Sequence, residues 1–92
     1  MNKILTKANQ VLKIWVNSRN KTNLEFFGGT TIVSHGDGSH FVFQNSNARG
    51  IIINNIKLVL VASEHCGDHV FFAEDLERWQ YFVDGPFQLF EK

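Results

Sequence analysis

Between residues 2 and 17, apolar side chains recur at helical spacing. Ile4, Leu5, Ala8, Val11, Leu12, Trp15 and Val16 form one stripe, and Lys3, Lys7, Asn9, Gln10, Lys13 and Asn17 lie opposite. A stripe of period 3.6 with a polar reverse predicts an amphipathic helix docked on the protein's own sheet. The polar run at 17–23 ends it.

Beyond that run the period shortens. Segments 24–27, 30–34, 40–44, 51–53, 56–63 and 69–73 read as strands. Between them stand turn signals: Gly28-Gly29, the His-Gly-Asp-Gly-Ser sequence at 35–39, a looser stretch at 45–50, Asn54-Asn55, and residues 64–68. Every connection is short, so the strands are expected to pair as an antiparallel meander of five to six strands. From Glu74 the spacing of Leu76, Trp79, Phe82 and Val83 suggests a second helix. Glu74, Asp75 and Glu77 suit its first turn, and Gly85-Pro86 its stop. A final short strand is expected at 87–90. The expected fold is α+β: an N-terminal amphipathic helix, the meander, a C-terminal helix and that last strand.

One pattern conflicts with a sheet wetted on one side. Phe26-Phe27, Phe71-Phe72, Ile51-Ile52-Ile53 and Leu58-Val59-Leu60-Val61 put apolar groups on both faces, because neighbours in a strand point oppositely. The second face can be covered by a helix, by closure of the sheet into a small barrel, or by a partner. Two helices cover both faces thinly, so a partner surface, most simply that of a homodimer, is the favoured expectation.

Composition bounds the rest. Ninety-two residues, 43% hydrophobic and 20% charged, leave room for one domain spanning 1–92. The net charge of zero is a cancellation. Residues 1–57 hold Lys3, Lys7, Lys13, Arg19, Lys21, Arg49 and Lys57 against Glu25 and Asp37, a surplus of +5. Residues 58–92 hold Arg78 and Lys92 against Glu64, Asp68, Glu74, Asp75, Glu77, Asp84 and Glu91, a surplus of −5. Such polarity can build a basic face, an acidic face, or a self-complementary pair of them. The single cysteine, Cys66, cannot form an internal disulfide, which favours a reducing compartment. With no signal-peptide pattern and no apolar run of membrane-spanning length, the expectation is a cytoplasmic protein with no membrane partner.

Candidate chemistry is sparse. Glu64-His65-Cys66-Gly67-Asp68-His69 offers imidazole, thiol and carboxylate donors, so His65, Cys66, Asp68 and His69 form a candidate metal site. His35 and His40 bracket another turn, which a flat meander with a reversal at 45–50 would place at the opposite end of the sheet. No serine-nucleophile, zinc-protease or phosphate-loop motif occurs, so no catalytic residue and no cofactor is assigned. Lys3, Lys7, Lys13, Arg19 and Lys21 form a candidate nucleic-acid arm, with Phe41 and Phe43 as possible stacking residues. A helix followed by antiparallel strands is also the element order of Sm-like RNA-binding rings, but the residues carry none of that family's motif and no resemblance is drawn. The leading expectation is a non-enzymatic protein-interaction module whose partner the residues do not identify. Its interface would comprise Glu74, Asp75, Glu77, Trp79 and Tyr81, aromatics bordered by charge. A small, motif-free chain rich in Asn and Phe also suits a phage or mobile-element protein that inhibits a host factor.

Overall fold

The computed structural model describes residues 3–20 (side chains to Ser18) and 27–83. The amphipathic stripe forms helix α1, Lys3–Asn20. It is followed by strands β1 (Gly29–Ser34), β2 (His40–Ile53), β3 (Ile56–Ser63), β4 (Gly67–Phe72) and β5 (Arg78–Val83). They form one antiparallel sheet in the order β4-β3-β2-β1-β5. The α+β expectation therefore stands, with one helix and five strands among the described residues.

Helix α1 lies where its stripe predicts. Ala8 and Leu12 are fully buried against Leu58, Leu60 and Ala62, with Ile4, Val11, Trp15 and Val16 packed around them. At its C-terminal end the Arg49 guanidinium stands over the Trp15 ring at 5.5 Å, a cation–π contact tying the helix to β2. Alternation along β3 sends Leu58 and Leu60 to the helix and Val59 and Val61 to the other face. There they join Val33, Phe43 and Ala48 in a second core, flanked by Phe71, Ala73, Leu76, Trp79 and Tyr81. Both faces of the sheet are thus apolar, as the uninterrupted runs imply.

Three parts of the chain depart from the expected layout. The stretch at 45–50 is no reversal: it is the middle of β2, a single strand of 14 residues. Its first half pairs with β1 (Ser34 opposite His40) and its second with β3 (Ile53 opposite Ile56), the two halves meeting at Ser46. The register slips between Gly29 and Thr31, and Asn45 takes a left-handed φ of 50°, so β2 carries a bulge and bends there. Gly28-Gly29 is likewise not a turn, because Gly29 begins β1 and pairs with both Ser46 and Val83.

The third departure is the expected C-terminal helix. Only Ala73–Asp75 form a single 3-10 turn, and Arg78–Val83 form β5. Apolar spacing in so short a window fits either period. Trp, Tyr, Phe and Val favour a pleated surface, and the free edge of β1 offers six ladder partners, from Gly29↔Val83 to Ser34↔Arg78. The tertiary partner decides. Gly85-Pro86, the strand at 87–90 and nearly all of 24–27 lie outside the described residues.

The second core is covered by curvature. In a flat sheet β1 and β4 stand three strand spacings apart, about 14 Å. Here the rings of His35, just after β1, and Phe71 in β4 have centroids 6.4 Å apart. Residues 73–77 cross from β4 to β5, the two edge strands, which requires the sheet to curl. The chain therefore closes on its own second face: Val33, Val59 and Val61 are at most 1% exposed.

Hydroxyls stitch the bend. Buried Ser46 donates to the Phe43 carbonyl at 2.8 Å, and Thr31 Oγ1 lies 2.9 Å from Ser46 Oγ. Ser63 Oγ donates to the Gln44 carbonyl at 3.2 Å and accepts from Cys66 N–H at 3.1 Å. Ser46→Ala would leave a buried carbonyl and the Thr31 hydroxyl without their partner, a loss of roughly 1–3 kcal/mol. Gly29→Ala should cost more, because its Cβ would fall 2.5 Å from the Phe82 carbonyl oxygen and against the Tyr81 ring. Gly36→Ala, with nothing within 4 Å, should be near neutral. Urea unfolding of the three variants checks this ranking.

Candidate interaction surface

Because β2 contains no reversal at 45–50, the turns at 35–39 and 64–66 fall at the same end of the sheet, and curvature brings His35 and, from β4, His69 to the one Phe71 ring. The ring of Phe43 lies 5.0 Å from His69 and 6.1 Å from Phe71. His35 meets Phe41 edge-on at 5.7 Å. The result is one aromatic platform of His35, Phe41, Phe43, His69 and Phe71. Phe43 is its buried base, and Phe41, 52% exposed, its open edge.

Local hydrogen bonds set this platform. In the β1–β2 turn Asp37 Oδ1 accepts from Ser39 N–H at 2.9 Å and from Ser39 Oγ at 2.7 Å. Gly38 supplies the left-handed φ of 95° that closes the turn. His35 N–H donates to the Ser39 carbonyl, and Glu77 N–H to the Ser34 carbonyl. His35 Nδ1 reaches the Asp75 carbonyl at 3.3 Å, so the crossover at 73–77 is pinned beside the platform. His69 Nε2 lies 3.0 Å from the Cys66 carbonyl across its own turn.

The candidate residues sort themselves by this geometry. Glu74, Asp75 and Glu77 are exposed on the crossover, whereas Trp79 and Tyr81 turn inward against the second core. Of the five expected interface residues the acids are therefore exposed and the aromatics are not, and the exposed ring beside Asp75 and Glu77 is that of Phe41. Helical spacing puts Trp79 and Tyr81 on other faces, and only the strand β5 turns both inward. His65, Cys66 and Asp68 are exposed and His69 half-buried. Among the described residues, no three His, Cys, Asp or Glu side chains gather as a metal site would require. Lys3, Lys7 and Lys13 are exposed on the outer side of α1. The side chain of Arg19 and the whole of Lys21 lie outside the described residues. Phe41 and the lysines sit on opposite faces of the sheet, so they do not share one groove for a single strand.

Charge and apolar anchors follow the same division. The outer stripe of α1 runs Lys3, Lys7, Gln10, Ile14, and Ile14 is 68% exposed. Helical spacing at i, i+4, i+7 and i+11 aligns them. Beside this stripe, Lys13 lines a shallow depression with Thr6, Asn9, Gln10 and Asp68. Beside the platform stand Asp37, Asp75 and Glu77. Lys57 lies toward the far end, in a depression shared with Glu74. No known protein-family model matches the chain, and no curated protein or solved structure shows significant similarity to it. No helix among the described residues is long and apolar enough to cross a membrane.

The two bonds from Ser39, with His35 nearby, hold the Asp37 carboxyl below its ordinary 3.8. A depressed acid stabilises the fold above its unfolded pKa, and that contribution is lost as pH falls through the folded value. An NMR titration should place the Asp37 midpoint below 3.8, with the Ser39 amide losing its hydrogen-bonded shift in the same acid range. A midpoint at or above 3.8 would contradict the turn geometry.

Proposed function

We propose that the chain is a non-enzymatic protein-interaction module that self-associates, a dimer being the first step. The observation that carries this reading is that Ile14, Phe41, Val42, Ile52, Ile56 and Val83 stay exposed on a domain whose core is already closed, Ile14 in line with the lysines of α1 and Phe41 beside the acid-flanked His35. Apolar anchors ringed by charged residues are the usual anatomy of an interface centre. The chemistry-bearing groups support the same reading. Among the described residues, His65, Cys66, Asp37, Glu64, Glu74, Asp75 and Glu77 stand exposed on turns and on the crossover. Binding and inhibition of a host protein by the same surfaces extends the proposal, on the strength of small size and composition.

A nucleic-acid role keeps one favourable observation, the basic stripe of α1, but the exposed aromatic lies on the opposite face. The interaction reading uses both features and is preferred. Sedimentation equilibrium at low salt and tens of micromolar protein should give a mass above that of one chain, rising with concentration. A strictly monomeric mass under those conditions would overturn the proposal. Phe41→Ser and Ile14→Ser, both at exposed positions, should weaken association about tenfold or more each, as truncation of an interface anchor does, with little change in the unfolding midpoint.

A further inference from the structure

We infer that the outer face of α1 docks on the acidic, Phe41-bearing face of a second copy of this chain, head to tail. This inference rests on the self-association proposed above and specifies its geometry. Helix α1 has no acidic residue. Its outward stripe carries Lys3, Lys7 and Ile14 in one line, with Lys13 at its flank, over a length of about 27 Å for 18 residues. Across the sheet, Asp37, Asp75 and Glu77 stand on the turn and crossover around His35, whose ring meets the half-exposed Phe41. Lys13 beside Asp68 and Lys57 beside Glu74 cancel locally, which leaves a net positive stripe on α1 and a net negative platform edge. Opposite potentials on two separate faces favour encounter between copies and disfavour like-face contacts.

The two faces lie on opposite sides of one sheet. Helix α1 packs on Leu58 and Leu60, and the crossover residues Ala73 and Leu76 pack on the core of Val59 and Val61. A symmetric pair using one face twice would bring like charges together. A contact of the basic face with the acidic face leaves one of each unsatisfied at the two ends. Such a heterologous contact propagates or closes into a ring.

The test uses the whole chain and two charge-reversed variants, Lys3→Glu with Lys7→Glu, and Asp75→Lys with Glu77→Lys. All four positions are exposed, and circular dichroism confirms the fold of each variant. Wild-type association should weaken at least about tenfold between 20 and 500 mM salt, where screening shortens to a few ångströms. Each variant alone should be monomeric, because its two faces then carry the same net sign. An equimolar mixture should associate again. The neutralising variants Lys7→Gln and Glu77→Gln should each give intermediate affinity. Wild-type association that ignores salt, variants that associate as the wild type does, or a mixture that stays monomeric would overturn the head-to-tail contact while leaving self-association standing. A monomeric wild type at low salt would overturn both. Binding of a single-stranded oligonucleotide through Lys3 and Lys7 by such a monomer would assign the helix face to nucleic acid instead.

Discussion

The bend of β2 at Asn45 and Ser46 is the constraint on which the rest of the molecule depends. One strand serves two neighbours, β1 along its first half and β3 along its second. A sheet that stayed flat would leave Val33, Val59, Val61 and Phe43 facing water. The extra residue at the bulge and the hydroxyls of Thr31, Ser46 and Ser63 turn the strand, and the sheet folds over its own apolar face. Polar residues in the middle of a strand would ordinarily weaken it. Here their hydrogen bonds satisfy the backbone groups that a bulge leaves unpaired.

That bend also explains what was legible beforehand. The helix could be read because seven apolar side chains repeat at one period, and its predicted and observed spans differ by only a few residues. The Asn54-Asn55 turn could be read because both residues tolerate left-handed backbone, and both adopt it, at φ of 52° and 67°. The run at 58–61 revealed a sheet buried on both sides. The stretch at 45–50 was illegible because Asn, Ser and Gly signal a reversal and a bulge alike. Strand β5 was illegible for a different reason. Residues 78–83 suit either period, and only the free edge of β1 selects a strand.

The candidate surface inherits these outcomes. A reversal at 45–50 would have separated His35 from His69, and its absence assembles the aromatic platform. Acids expected on a helix instead ride a short crossover, pinned by the His35 contact to Asp75 and the Glu77 bond to Ser34. The charge asymmetry along the sequence survives in part: α1 and the crossover lie on opposite faces of the sheet, while Lys13 lies beside Asp68 and Lys57 beside Glu74. The central apolar residues no longer demand a partner, since the fold covers them. What argues for one is the set of apolar side chains left outside, Ile14 and Phe41 among them.

A single chain curls far enough to bury the second face by itself. Nuclear Overhauser contacts between side chains test this on protein diluted, or charge-reversed, until it is monomeric. Contacts from the Phe43 ring to both His69 and Phe71, and from His35 to Phe41 and Phe71, should persist unchanged in the monomer. Loss of the Phe43–Phe71 and His35–Phe71 contacts on dilution, with the strand ladders intact, would contradict it: the sheet would then be flat alone and covered only by a partner.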